Sequence, residues 1–539
     1  MGIPSYFSYI VKNHASILHK LSLTHFTVDN FYLDCNSIIY DVVHKIDFSK
    51  INEKDTDYII NNICYKIDEY IKIIQPNHNI LIAFDGVAPV AKLDQQRQRR
   101  YKSMYQNKIS KTIYKDSLPD PWNTTAITPG TVFMNKLSTK IHKFFKNPKK
   151  FKVNNIIVST STIYGEGEHK IFEFIRNYSE QHNNKVTVVY GLDADLIMLC
   201  INHLRICNHI YLFRETPEFI KSVNSELEPN CEYLLDIHEL AKAIITNMNS
   251  ELPLQINTNT TINHNIMYDY IFMCFFLGND FMPHFPSVNI RTGGIDKLIN
   301  AYKHLFVSGQ YLVSFTDKIQ INWINVSKLI RFLSDNEENN IKNETKLRDK
   351  REKYKISEDT ENYKFKQFEY TPMYERKIEK YINPFNINWQ KRYYQSLFKF
   401  EYNEENIKSV CINFFEGLEW NMKYYTTGCA DWRWTYKYEY PPLFCDLLRY
   451  IPCDKSILIM DNPPNPVTEI VQLCYVLPKN CLYLLPKRIY NILNKEWYID
   501  DCEFLWAYCK YFWESHALLP NININELECI IQKLNNKTK

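Results

Sequence analysis

The segment VTVVYGLDADL, residues 186–196, shows how the first part of this chain folds. Val186 to Tyr190 is a short, mostly β-branched run that predicts a buried strand. Gly191 ends the run, and two aspartates, Asp193 and Asp195, follow before an apolar stretch. In an extended segment, residues two apart point the same way. We therefore expect two carboxylates on one side of a strand exit.

Acidic residues follow apolar runs elsewhere in the first 300 residues as well. The runs Phe31 to Leu33, Ile80 to Phe84 and Ile156 to Val158 each lead to such an acid. Their alternation with amphipathic segments indicates βα units, and therefore an α/β fold with a mainly parallel sheet. In such sheets, ligands bind beyond the carboxyl ends of the strands. The candidate site acids are Asp34, Asp85, Glu166, Glu168, Asp193, Asp195 and Asp280.

Seven converging carboxylates require positive charge beside them. Two like charges about 4 Å apart repel by roughly 4 kcal/mol at an effective dielectric constant of about 20. Oxygen ligands favour Mg²⁺ or Mn²⁺, so we predict a two-metal site for phosphodiester hydrolysis. Single members of the set also fit a simpler interpretation, because Glu166, Glu168 or Asp195 at a helix start can serve as a capping carboxylate.

Length and composition are those of a soluble globular protein with more than one lobe. The chain has 539 residues, of which 45% are hydrophobic and 23% charged, and its formal net charge is +3. One core rarely grows beyond about 300 residues, so we predict a first domain over 1–300, a connecting region over 301–383 and a second lobe over 384–539. Fifteen cysteines without a C-x-x-C pair indicate reduced thiols. The longest apolar stretch, 271–277, is too short to span a bilayer.

Basic residues cluster in two runs. The first extends from Lys92 to Lys115 and the second from Lys136 to Lys152. Both suit the neutralisation of backbone phosphates, and both also suit a solvated helix face. Within the first run, four residues fall at i, i+4, i+7 and i+8 on one face of a predicted helix. They form a candidate pocket for a terminal phosphate: Lys92, Gln96, Arg99 and Arg100.

The last part of the chain differs from the first in composition. Residues 336–380 are dense in alternating charges, which predicts either a long exposed helix or a disordered linker. Beyond residue 384 aromatic residues become frequent, above all in 417–440, and we predict a mostly helical, aromatic-rich lobe packed on the first one. Most of these rings belong to a core, but one or two exposed members would suffice for stacking on bases.

Seven short motifs follow one another along the first 300 residues. They are MGIP (1–4), LDCNSIIY (33–40), FDGVAPVAKLDQQRQRR (84–100), ITPGTVFM (127–134), GEGEHKI (165–171), YGLDADLIML (190–199) and FLGNDFMPHFP (277–286). Their sequence and order resemble those of the XRN family of 5′→3′ exoribonucleases. The resemblance is strong over the first 300 residues and less continuous to about residue 450, where the segment 417–442 resembles the family's second conserved region. It implies a lobe related to PIN and flap-nuclease domains, with a central, mainly parallel sheet.

By motif position, the resemblance implies roles for the candidate residues. The seven acids match the family's metal ligands, and the four residues of the candidate phosphate pocket match its site for a 5′-monophosphate. Asn36 lies in the same loop as Asp34 and is expected to be a supporting residue of the site. The family stacks the leading bases between a His and a Trp. Tyr40 stands at the His position, and either Trp432 or Trp434 is expected to supply the Trp.

The resemblance implies a hydrolase that uses two Mg²⁺ ions, with Mn²⁺ as a substitute, to degrade single-stranded RNA with a 5′-monophosphate stepwise to mononucleotides. Two alternatives remain open, namely a flap-type DNA endonuclease, which shares the acids, and a non-catalytic RNA-binding protein descended from the nuclease.

We expect a short form without the large C-terminal domains of some family members. It is expected to act in RNA decay in the cytoplasm, with the nucleus as the alternative, and not to be secreted or bound to a membrane. Partners in decapping or RNA processing stay open.

Overall fold

The structure is a computed structural model of the chain. It describes residues 2–23, 26–46, 56–114, 122–249, 263–305, 310–358, 360, 362–454, 456–460 and 465–536. Met1 of the first motif and Lys115 of the first basic run lie outside these ranges.

A seven-stranded sheet forms the centre of the first domain, in the strand order β1-β7-β6-β5-β2-β3-β4. The five strands from β6 to β4 are parallel, whereas β7 is antiparallel to both β6 and β1. The prediction of an α/β fold with a mainly parallel sheet is therefore confirmed. The strands are β1 Leu18–Lys20, β2 Asn30–Asp34, β3 Asn79–Ala83, β4 Asn155–Ser159, β5 Val186–Tyr190, β6 His209–Glu215 and β7 Glu232–Asp236.

Helices and two small antiparallel hairpins make up the rest of the described regular structure. The hairpins are β8 Val313–Phe315 with β9 Ile319–Ile321, and β10 Phe504–Leu505 with β11 His516–Ala517. The helices are α1 Tyr6–Asn13, α2 Asn36–Lys45, α3 Thr56–Ile74, α4 Val90–Tyr114, α5 Val132–Phe144, α6 Gly167–Asn177, α7 Asp195–Asn202, α8 Ile237–Met248, α9 His264–Cys274, α10 Gly294–Leu305, α11 Trp323–Glu352, α12 Tyr363–Glu369, α13 Thr371–Tyr374, α14 Lys377–Ile382, α15 Trp389–Phe398, α16 Glu404–Thr426, α17 Phe444–Arg449, α18 Glu469–Val476, α19 Lys487–Tyr490 and α20 Ile524–Asn536.

The central strands are buried along their whole length because both faces of the sheet are covered. Every residue of β2 and β3 is buried. Side chains alternate between faces, so Tyr32 and Leu81 join one hydrophobic cluster whereas Phe31 and Ile80 join another on the opposite face. A strand that is buried on both faces has a nearly continuous apolar sequence, and for this reason the sequence predicts these strands.

The aromatic C-terminal part shares its core with the first domain. One hydrophobic cluster runs from Ile3 through the sheet to Trp420, Trp434 and Tyr508. The helix α16 packs against α7, directly beyond strand β5. The expectation of a mostly helical, aromatic-rich lobe packed on the first one is confirmed, while the domain boundaries at residues 300 and 383 stay a prediction.

A long helix is present over the first part of the charge-dense segment, and only one face of that helix is exposed. The 30-residue helix α11 buries Glu337, Glu344 and Arg348. Glu337 accepts the backbone N–H of Phe444 at 2.9 Å, and Arg348 donates to Glu379 at 2.7 Å. Partners far along the chain compensate these charges. The local pattern of alternating charges does not indicate these partners.

Two further expectations can be compared with the described residues. All fifteen cysteines are free thiols, as predicted. Within the described ranges, no helix has both the length and the apolar character needed to cross a bilayer.

Candidate active site

The carboxyl edge of the parallel strands collects the candidate acids. Asp34 is the last residue of β2 and pairs in register with Ala83 of β3, so Asp85 follows at the same edge. The helix α6 comes very close to this edge. A Cβ atom built on Gly167 would lie 2.4 Å from Asp34 Oδ1, so a larger residue there would have to displace the Asp34 carboxylate. The sheet edge and the start of α6 therefore form one pocket.

Glu166 and Glu168 flank that glycine at the junction between loop and helix, as predicted from their spacing. Glu166 occupies the N-cap position of α6, and Glu168 lies in its first turn. Glu166 does not act as a helix cap, because its side chain makes no capping hydrogen bond among the described residues. Instead, the backbone N–H of Gly167 donates to Asp85 Oδ1 at 2.7 Å. The helix start thus contributes two carboxylates and one N–H to the pocket.

Lys92 connects the acids of two distant chain segments. Its Nζ lies 2.7 Å from Glu166 Oε1 and 2.7 Å from Asp280 Oδ2, and the side chain is only 10% exposed. Gln95, one turn further along α4, also donates to Asp280, at 3.3 Å. Lys92 was predicted as part of a phosphate pocket, and the structure places its ammonium group among the carboxylates.

Two tyrosines of α16 and one asparagine orient the acids. Tyr424 donates to Glu166 Oε2 at 2.6 Å, and Tyr425 donates to Asp195 Oδ1 at 2.7 Å. Asn36 donates to Asp85 Oδ2 at 2.5 Å and also accepts the Asp85 backbone N–H at 3.1 Å. The tyrosines were not predicted as site residues, although their segment was singled out as aromatic. Asn36 thus contacts Asp85 through its side chain, and its backbone N–H donates to Asp34.

Burial dominates the electrostatics of the site. It raises the pKa of Asp34 and Glu168 well above the usual range, and the other site carboxylates raise both further. Burial and then the charge of Asp280 raise the pKa of Asp195 to about 7. Burial also acts to raise the pKa of Asp280, but the positive charges around it, with Lys92 first among them and Arg99 contributing, together outweigh burial and lower the net pKa. The pocket is therefore short of positive charge.

The unpaired oxygens of the pocket fit a bound cation. Asp34 Oδ1 and Glu168 Oε2 are buried and have no hydrogen-bond partner among the described residues. The ligand atoms of Glu166, Glu168 and His169 lie within 4.8 Å of one another. Buried charges need partners, and oxygen donors suit hard divalent cations. Asp193 is the most exposed of the seven acids and lies at the rim. His169 belongs to the GEGEHKI motif but was not predicted as a site residue.

The predicted phosphate pocket lies on α4, beside the acids. Arg100 donates through Nη2 to Thr128 Oγ1 at 2.6 Å, while its buried Nη1 has no partner among the described residues. Burial lowers the pKa of Arg100 to about 10. Tyr40 lies close enough to offset part of this lowering, and it also helps to raise the pKa of the half-buried Arg99. Gln96 is half-buried on the same helix. A buried guanidinium with a free N–H suits an anion.

The two candidate stacking tryptophans differ in their surroundings. Trp434 is 7% exposed and stacks on Trp420 in the core, with ring centroids 5.0 Å apart. Trp432 is half-buried and meets the exposed ring of Tyr164 edge-on at 5.4 Å. Its backbone carbonyl accepts the N–H of Val90 at the start of α4. Trp432 is therefore the candidate for base stacking, and Trp434 belongs to the core.

Comparison with known proteins identifies the family. The family profile described as XRN 5'-3' exonuclease N-terminus matches residues 1–216, and the profile described as Xrn1 helical domain matches residues 261–382 and 374–539. The chain belongs to the XRN exonuclease family. In this XRN-family chain, the first profile contains six of the seven acids, and Asp280 lies in the second.

Curated relatives agree with this assignment. The chain is similar to 5'-3' exoribonuclease 1 of Saccharomyces cerevisiae, with 27% identity over 92% of the chain and 40% of the relative. It is also similar to the 5'-3' exoribonuclease 2 homolog of Drosophila melanogaster, with 25% identity over 98% of the chain and 70% of the relative. The human 5'-3' exoribonuclease 1 is 27% identical over the whole chain and 34% of its own length. The chain thus spans less than half of two of these three relatives.

Proposed function

We propose that this protein is a metal-dependent 5′→3′ exoribonuclease, which hydrolyses single-stranded RNA with a 5′-monophosphate stepwise to mononucleotides. The observation that carries the proposal is the buried acid cluster with unpaired oxygens on Asp34 and Glu168, joined through Lys92 to a helix that presents an unpaired guanidinium N–H on Arg100. The names of the curated relatives supply the direction of digestion and the RNA substrate.

The acids would hold two divalent cations, Mg²⁺ in the first place and Mn²⁺ as a substitute. When bound, such cations supply Lewis acidity and a hydroxide at neutral pH. The protein contributes the geometry. Tyr424 fixes Glu166, Tyr425 fixes Asp195, and Asn36 together with the Gly167 N–H fixes Asp85. Pre-oriented ligands of this kind avoid reorganisation during the reaction.

Residues of α4 would select the end of the substrate. Arg100 has an N–H free for a phosphate oxygen, and Arg99, with Gln96, lies on the same helix a short distance from the acids. Charge-assisted bonds from guanidinium groups to a phosphate are stronger than neutral hydrogen bonds. A pocket shaped for one phosphate would leave no room for a cap or a triphosphate.

Aromatic side chains would hold the leading bases. Trp432 offers a half-buried indole beside the acid cluster, and Tyr40 lies next to the arginines of α4. Base stacking on aromatic rings is tolerant of sequence and contributes about 1–3 kcal/mol per base. This suits an enzyme that removes nucleotides one after another without sequence preference.

A digestion series tests the proposal. Matched RNAs with a 5′-monophosphate, a 5′-hydroxyl or a cap, together with a DNA flap, are incubated with Mg²⁺, Mn²⁺ or chelator. We expect mononucleotides from the monophosphorylated RNA only, and no products in chelator. Asp193→Ala combined with Asp195→Ala should abolish hydrolysis in a folded protein. Equal rates on all three RNA ends would refute end selection, and cleavage of the flap alone would favour the endonuclease.

A further inference from the structure

The second basic run forms an uninterrupted strip of positive charge. From residue 121 to residue 165 the sequence contains no Asp and no Glu. The formal net charge of the whole chain is +3, less than the charge of this strip alone, so the rest of the chain is net negative. We define the lysine strip as Lys136, Lys140, Lys143, Lys146, Lys149, Lys150 and Lys152.

The fold places these lysines on the outside. The helix α5 buries its apolar face through residues such as Leu137 and Ile141. Lys136, Lys140 and Lys143 stand at i, i+4 and i+7, and therefore share the opposite face. All members of the strip are exposed except Lys140, which is half-buried. The helix and the turn that follows it thus carry one continuous basic surface.

The strip has no acidic partner in the part of the chain that the structure describes. On the neighbouring helix α3, Asp68 and Glu69 form ion pairs with Lys72 and Lys66 of the same helix. None of the seven lysines of the strip takes part in an ion pair, and Lys150 lies only over the rings of Phe144 and Phe151. Like charges three or four residues apart weaken a helix. The strip therefore does not serve the stability of α5.

The position of α5 connects the strip to the candidate site. Arg100 donates to Thr128, four residues before the helix begins. Ser138 shares a 3.3 Å hydrogen bond with Ser161, in the loop that leads to Glu166. A helix of 13 residues is about 20 Å long. The strip thus begins near the predicted phosphate pocket and runs outward from it.

We propose that the lysine strip binds the backbone phosphates of the single-stranded RNA body that lies outside the catalytic pocket. The proposal rests on the exoribonuclease function, because the 5′ end must occupy the pocket of Arg100 while the remaining strand lies elsewhere on the protein. Lysines neutralise phosphates without reading bases, as a processive, sequence-tolerant enzyme requires. An acidic protein segment is the competing partner, and the test below separates the two.

RNA binding in chelator, where no cleavage is expected, tests the strip. The variant carries Lys140→Ala, Lys143→Ala and Lys146→Ala. Its matched control carries Lys391→Ala, Lys399→Ala and Lys408→Ala, which remove three exposed lysines from the second lobe. The affinity for a single-stranded RNA of about 20 nucleotides is measured between about 50 and 200 mM salt. A 5′-phosphorylated RNA of about 4 nucleotides, too short to leave the pocket, is measured in parallel.

Each phosphate contact to single-stranded RNA contributes about −0.7 to the slope of log K against log salt. Loss of three contacts should make the slope shallower by about 2, so the affinity ratio of wild type to variant should change about 20-fold over this range of salt. The strip variant should bind the short RNA with the same affinity as the wild type. The control variant should bind the long RNA with the same affinity and the same salt dependence as the wild type. An unchanged slope for the strip variant would overturn the proposal and leave an acidic protein segment as the partner. Absence of cleavage with Mg²⁺ would instead count against the nuclease function, since the binding measurement does not depend on it.

Discussion

Replacement of Asp195 by asparagine should stabilise the metal-free protein while it destroys activity. Asp195 is 3% exposed, and burial followed by the charge of Asp280 raises its pKa from an ordinary value of 3.8 to about 7. The folded state therefore holds this proton more tightly than the unfolded state does. As a result, the metal-free protein loses stability as pH rises from about 4 to about 7. Asparagine has no charge to bury, and its Oδ1 still accepts the hydroxyl of Tyr425.

The magnitude follows from the two pKa values. The difference between 3.8 and about 7 corresponds to roughly 4 kcal/mol, at 1.36 kcal/mol for each tenfold change in ionisation. Relaxation of the pocket and entry of water reduce this value, so we expect Asp195→Asn to raise the free energy of unfolding by about 2–4 kcal/mol above neutral pH. The difference should shrink as the pH falls toward 4 and vanish below about pH 3, because both states of the wild type are then largely protonated at this position.

Urea unfolding in chelator and in Mg²⁺ is the assay. Asp269→Asn is the matched control, because burial also raises the pKa of Asp269 to about 7, and Asp269 is not one of the site acids. Asp269 accepts the hydroxyl of Tyr302 and two backbone N–H groups. The hydrogen bond that asparagine loses should therefore offset about 1–3 kcal/mol of the gain from removing the charge, and the effect should be the same with or without metal. Destabilisation by Asp195→Asn in chelator, or an undiminished gain from Mg²⁺ in that variant, would refute the reasoning.

Three further replacements test single contacts. Tyr424→Phe removes the hydrogen bond to Glu166 and keeps the ring, so kcat should fall roughly tenfold to a hundredfold at unchanged RNA affinity, in single-turnover kinetics. Trp432→Ala should weaken RNA binding by about 1–3 kcal/mol. Trp434→Ala should instead lower the free energy of unfolding by about 3–5 kcal/mol. The reverse pattern in binding and urea assays would contradict the assignment of Trp432 to base stacking and of Trp434 to the core. Arg348→Met leaves Glu379 buried without this partner and should cost about 3–5 kcal/mol in urea unfolding, and a neutral effect would show that the pair contributes nothing.

The parts of the fold that sequence reasoning recovered are those with a local signature. Strands β2, β3 and β5 are mostly apolar because both faces of the sheet are covered, and an acid lies at or just beyond the end of each. The convergence of Glu166 and Glu168 was predictable because Gly165 and Gly167 permit the backbone conformation that a loop-to-helix junction needs.

The parts that were missed depend on contacts between distant segments. Tyr424 lies 258 residues from Glu166, and Tyr425 lies 230 residues from Asp195, so no spacing rule links them. Trp432 and Trp434 are two residues apart in one aromatic segment, and only packing against Trp420 separates the buried ring from the half-buried one. In the sequence, the charged residues that α11 buries have the same spacing as those of an exposed helix. Only their partners, which lie far along the chain, distinguish the two cases.

The central claim is that distant carboxylates form one site for a pair of divalent cations. A crystal soaked in Mn²⁺ and measured at the manganese absorption edge tests it most directly. We expect two anomalous peaks beside Asp34 and Glu168, whose buried oxygens have no partner among the described residues. Saturating Mn²⁺ without a peak among the acids, or with peaks only at other places on the protein, would contradict the account.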